Sequence, residues 1–104
     1  MLHRATRISV IAEKLIQDGI VRIIEAAGAT GYSFFDGAGK GQRGLHPAHR
    51  PSVVDGFSIV KIEAVVSDRR LAERIAEQVA EAFFETYSGV VYLDDVEVLR
   101  PEKF

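Results

Sequence analysis

An α+β sandwich of βαββαβ order is what the sequence predicts, on three observations. Two stretches carry apolar residues at three- and four-residue spacing, the mark of amphipathic helices, and four others are β-branched or aromatic runs of strand length. They follow one another as strand, helix, strand, strand, helix, strand. All of this fits in 104 residues, the length of one domain, so residues 1–104 are expected to share a single core. Right-handed crossovers then deliver both helices to one face of a four-stranded antiparallel sheet, the ferredoxin-like arrangement.

Residues 7–13 alternate with period two: Ile8, Val10 and Ala12 face one way, Ser9, Ile11 and Glu13 the other. Over 15–27 the apolar set Ile16, Ile20, Val21, Ile23, Ile24 and Ala27 opposes Gln17, Asp18, Arg22 and Glu25, and Gly28 stands where a C-terminal helix stop is expected. Residues 32–35 form a short aromatic strand after Gly31, and 57–66 a longer β-branched one. The second helix starts with Ser67 as its N-cap and carries Leu71, Ala72, Ile75, Ala76, Val79, Ala80, Phe83, Phe84 and Tyr87 on its core face. Its other face, with Arg69, Arg70, Glu73, Arg74, Glu77, Glu81 and Glu85, is a solvated surface that needs no function to explain it. Ser88-Gly89 breaks the pattern, 90–99 is the last strand, and Pro101 ends it. The helix-free face of the sheet is left with Ile11, Phe35, Ile59 and Val65 beside Ser9, Glu13, Lys61 and Glu63. That mixture is too apolar for water and predicts packing of sheets from several subunits.

Composition excludes several function classes. Without cysteine there is no disulfide, thiol chemistry or Cys-type metal site, and a net charge of -2 gives nothing to drive generic nucleic-acid binding. RNA-recognition modules share the βαββαβ order, and Gly56-Phe57-Ser58-Ile59-Val60 faintly echoes their third strand. The stacking positions, however, hold Ser9, Ile11 and Ile59 rather than aromatics. For an enzyme, the adjacent Asp94 and Asp95 fall on opposite faces of a regular strand and do not converge, so no catalytic residue is expected, and weak nucleotide hydrolysis is the alternative that a turnover assay would separate from sensing. His46-Pro47-Ala48-His49 lacks a third ligand, and no metal is expected. No apolar run reaches the ~18 residues of a membrane span, and the first seven residues lack the apolar stretch of a signal peptide, so a cytoplasmic protein without membrane insertion is expected.

One segment exceeds what a hairpin needs. Residues 36–56 make a 21-residue connection between the second and third strands, where about two to five suffice. It opens Gly37-Ala38-Gly39-Lys40-Gly41-Gln42-Arg43-Gly44. Glycines let backbone N–H groups converge on an anion, Lys40 supplies a point charge, and Arg43 can fork onto phosphate or carboxylate. The run matches neither the Walker nor the dinucleotide fingerprint. With five glycines and little apolar surface, the segment is expected to order only around a ligand that bridges Lys40, Arg43 and the glycine amides.

With these residues in view the chain resembles the PII-like signalling proteins, and among them the carboxysome-associated group related to the cyanobacterial regulator of a bicarbonate transporter. The resemblance covers nearly the whole sequence. It rests on Ile23-Ile24-Glu25-Ala26-Ala27-Gly28-Ala29-Thr30-Gly31-Tyr32, Gly39-Lys40-Gly41-Gln42-Arg43, Val60-Lys61-Ile62-Glu63-Ala64-Val65-Val66, Tyr87-Ser88-Gly89-Val90-Val91-Tyr92 and Val96-Glu97-Val98-Leu99-Arg100. It implies a homotrimer with adenine-nucleotide sites in the clefts between subunits, each closed by a T-loop, here 36–56, and a short B-loop around Ser88, Gly89 and Val90. Gly39 and Gly41 match the glycines at the base of the T-loop, and Arg43 matches a basic residue of the bicarbonate-linked group. Arg100 matches a cation set toward a neighbour's phosphates, and Ser33 and Val65 lie on strands that flank adenine. Lys40 and Gln42 complete the implied nucleotide site, and Lys40, Gly41 and Arg43 the implied bicarbonate site. The B-loop lacks the Gly-Asp-Gly-Lys run of the nitrogen-regulatory members, so ADP or AMP, rather than a tightly held triphosphate answering to 2-oxoglutarate, is the expected effector. The T-loop tyrosine that enteric members uridylylate and the cysteine-bearing tail of some cyanobacterial relatives are both missing.

Overall fold

The computed structural model describes residues 1–39 and 58–100. Four antiparallel strands lie in the order β2-β3-β1-β4, with β1 (His3–Glu13) and β3 (Ile59–Val66) central and β2 (Ser33–Gly37) and β4 (Gly89–Val98) at the edges. A single 3-10 turn, Lys14–Ile16, leads from β1 into α1 (Gln17–Ala26), and α2 (Arg69–Phe83) joins β3 to β4. This is the predicted βαββαβ arrangement. β1 begins four residues earlier than the alternation suggests, because Arg4, Ala5 and Thr6 find partners in Glu97, Val96 and Asp95 of β4. Tertiary pairing here overrides a weak local pattern.

The predicted strand phase holds. Ile8, Val10 and Ala12 of β1 and Val60, Ile62, Ala64 and Val66 of β3 are buried against Ile20 and Ile24 of α1 and Ala72, Ile75 and Val79 of α2. Both helices therefore cover one face. α1 stops in a Schellman motif: Gly28, at φ +97°, donates its N–H to the Glu25 carbonyl (3.1 Å), and Ala29 donates to that of Ile24 (3.4 Å). The N-cap of α2 is Asp68, not Ser67, since the Asp68 carboxylate accepts from the Arg70 N–H at 2.9 Å. The helix also ends at Phe83 rather than continuing to Tyr87, although Phe84 and Tyr87 still pack on the core from the turn that follows.

The opposite face is open in the single chain and mixed in character. Phe35 (58% exposed) and Val90 (50%) lie toward one end of it. Its centre is a charged lattice in which Arg7 grips Asp94 with two parallel bonds, Nε to Oδ1 at 3.0 Å and a terminal nitrogen to Oδ2 at 2.7 Å. Beside this pair Lys61 meets Glu63 at 3.3 Å. The Arg7 hydrogen bonds hold the Asp94 carboxyl below its usual range, so Asp94 stays ionised at neutral pH. Asp95, on the helix side of β4, bonds instead to Arg69 at 3.3 Å, and the two aspartates are apart as the alternation predicts. Among the described residues no helix is long and apolar enough to cross a membrane, and no group of acidic and histidine side chains is arranged to hold a metal.

Candidate functional site

Antiparallel register brings four chain segments to one end of the sheet. Gly37, the last residue of β2, pairs with Ile59, which also pairs with Glu13 at the end of β1; on the other side Ala12 pairs with Gly89, the first residue of β4. Both ends of the long connection and the Ser88-Gly89-Val90 turn thus converge, without any of them being adjacent in sequence.

Each is tied to the end of β1. Glu13 is 4% exposed; its carboxylate accepts the Ser88 N–H at 2.7 Å, and its own N–H reaches the Ser88 carbonyl at 3.4 Å. Lys14 donates its backbone N–H to the Ser58 carbonyl at 2.9 Å, and its ammonium stands 2.7 Å from the Asp36 carboxylate. The sequence marks Glu13 only as one polar residue on the helix-free face and assigns Lys14 no role. The signal available was a charged dipeptide at the end of a central strand, where a short chain reversal places backbone groups within reach of several loops.

The predicted site residues among the described ones divide into three sets. Gly39 joins Ser88, Gly89 and Val90 at this end of the sheet, and a Cβ on Gly39 would meet only the tip of Ile59, at 2.9 Å. Ser33, opposite Glu63, and Val65, opposite Arg7, lie farther along the strands on the helix-free side. Arg100 follows β4 at the far end, beyond the Val98–His3 pair. From Gly89 to Val98 the strand covers nine steps of roughly 3.3 Å, roughly 30 Å in all, so one nucleotide cannot touch both the B-loop and Arg100 of the same chain. Lys40, Gly41, Gln42 and Arg43, and the ligand-dependent ordering expected of their segment, lie outside the described residues.

Gly89 has a packing reason beyond the close approach to phosphate that the resemblance implies. A Cβ there would lie 2.5 Å and 2.7 Å from ring atoms of Phe84 and 3.0 Å from the Ile11 carbonyl oxygen. Gly89→Ala is expected to destabilise the protein by about 1–3 kcal/mol through overpacking and to displace the turn. Denaturant unfolding checks the first, and an unchanged midpoint would show that Phe84 yields without cost.

Comparison with known proteins adds four findings. Residues 5–103 match the family model described as nitrogen regulatory protein P-II. A PII-like signalling protein from Thermus thermophilus is 29% identical, with a TM-score of 0.79 over 99% of this chain and 97% of its own. The CPII protein of Thiomonas intermedia K12, solved bound to ADP and bicarbonate, is 28% identical, with a TM-score of 0.80 over 100% of this chain and 97% of that one. The same protein bound to ADP, AMP and bicarbonate aligns at 27% identity, a TM-score of 0.81 and coverage of 100% and 96%.

Proposed function

Because the chain belongs to the nitrogen regulatory protein P-II family, we propose that it is a non-catalytic cytoplasmic sensor: a homotrimer that binds ADP or AMP between subunits, responds to bicarbonate, and acts through segment 36–56 on a bicarbonate transporter or a carboxysome-linked protein to regulate inorganic carbon uptake or fixation. The ADP and bicarbonate held by CPII, similar over the full length of this chain, support the choice of effectors. The observation that carries the shared site is the separation along β4. The turn at Ser88, Gly89 and Val90 and the cation Arg100 stand at opposite ends of a ten-residue strand, so a ligand uses both only where the far end of one subunit meets the near end of the next. Ser33 and Val65 lie on the helix-free side between those ends, suited to receive the base, while Gly39, Lys40, Gly41, Gln42 and Arg43 belong to the phosphate side. The exposed Phe35 and Val90 on that same face provide apolar surface for subunit packing.

Light scattering at micromolar concentration is expected to give the mass of three chains. A stable monomer would remove the oligomer and the shared site together.

A further inference from the structure

The end of β1 is bonded to all three segments that converge on it, and two consecutive residues, Glu13 and Lys14, between them reach all three. Glu13 engages Ser88 twice, donating from its N–H and accepting at its carboxylate. Lys14 engages the two ends of the long connection, Ser58 through its N–H and Asp36 through its ammonium. The peptide unit between Glu13 and Lys14 is rigid, and the Lys14 N–H that holds Ser58 is part of it. We propose that Glu13 and Lys14 are positioning residues that couple the Ser88-Gly89-Val90 turn to Asp36 and Ser58, the residues bonded to Lys14 where the long connection leaves β2 and enters β3, so that a shift of the turn moves both with it. This deepens the sensor reading given above and rests on it for the meaning of the two loops.

Three physical points carry the coupling. Glu13 is buried, so its charge-assisted bond to Ser88 acts in a low-dielectric setting where such bonds are short and strong, and the turn cannot move without displacing the carboxylate or leaving an N–H unpaired. The chain on either side of the dipeptide is fixed: Ala12 pairs with Val60 and with Gly89, and Ile16, two residues on, is 4% exposed in the core. The Lys14–Asp36 pair, by contrast, is 44% and 41% exposed at its side chains and contributes little to overall stability. A bond of that kind can be altered without unfolding the protein, which is what a transmitted displacement requires.

Hydrogen exchange on the full-length protein without nucleotide separates this from two unrelated local contacts. Glu13→Gln keeps the side-chain shape and weakens the bond to Ser88, so exchange at 88–90 should rise roughly fivefold, the difference between a charge-assisted and a neutral hydrogen bond. Coupling predicts that exchange at 36–37 and 58–59 rises as well. Because coupling is reciprocal, Lys14→Met should raise exchange at 36–37 and 58–59 and also at Ser88, each by roughly twofold, the scale of one exposed ion pair. Lys14→Arg should restore all three. If each substitution affects only the segment it touches, the proposal is overturned. Should Glu13→Gln fail to fold, the Lys14 pair decides alone, since its readout at Ser88 lies on the far side of Glu13. No ligand enters these measurements, so their outcome is independent of whether ADP binds, which titration tests separately.

Discussion

Arg43→Ala and Arg100→Ala should each weaken ADP binding by about tenfold or more, since each removes a charge-assisted contact worth about 1.5–3 kcal/mol. Arg100 is exposed at the end of β4 and makes no ion pair among the described residues, so its loss should leave the unfolding temperature nearly unchanged. The informative experiment combines the two. If the site is shared, a cleft takes Arg43 from one subunit and Arg100 from the next, and trimers reassembled from equal amounts of the two variants regain about a quarter of their tight sites, those at which an intact Arg43 faces an intact Arg100. A site built within one chain regains none. Isothermal titration of the mixture reads the fraction directly, and unchanged affinity in both single variants would remove these residues from the site.

That test depends on an arrangement only partly written in the sequence. The four strands, two helices and their faces were legible because alternation at β1 and β3 and the stripe on α2 answer to one requirement, burial of Ile8, Val10, Ile62, Ile75 and their neighbours. Boundaries were less legible where partners decide them: β1 extends to His3 because β4 lies beside it, and Asp68 displaces Ser67 as the cap because its carboxylate reaches the Arg70 N–H. The glycines and cations of 37–44 suggest an anion site through local composition alone. Glu13 and Lys14 do not, because their role comes from where Ser88, Asp36 and Ser58 arrive in space, 75, 22 and 44 positions away along the chain. No window of sequence displays such a meeting. The separation of Gly89 and Arg100, by contrast, was already implied by the predicted strand 90–99, which the structure places at Gly89–Val98.

Bicarbonate should bind beside the nucleotide and raise its affinity. An ADP or AMP leaves the outer phosphate position of a triphosphate site empty, and in the proposed site Lys40, Arg43 and the amides around Gly41 are the groups expected to supply positive charge and N–H donors there. A planar monoanion suits that space, and a guanidinium can grip two of its oxygens in parallel. CPII, which holds ADP and bicarbonate together, is similar to this chain over its whole length. Since coupling between two ligands is reciprocal, bicarbonate must raise the affinity for ADP by the factor by which ADP raises that for bicarbonate, expected to be on the order of 5- to 150-fold. The matched control is chloride at the same ionic strength and pH, because screening alone weakens a phosphate contact. Arg43→Ala should abolish the difference between the two anions, whereas a substitution on the solvated face of α2, such as Glu77→Gln, should leave it intact. If the ADP isotherm in bicarbonate coincides with that in chloride, the protein senses adenylates alone, and regulation of carbon uptake would have to act through the nucleotide.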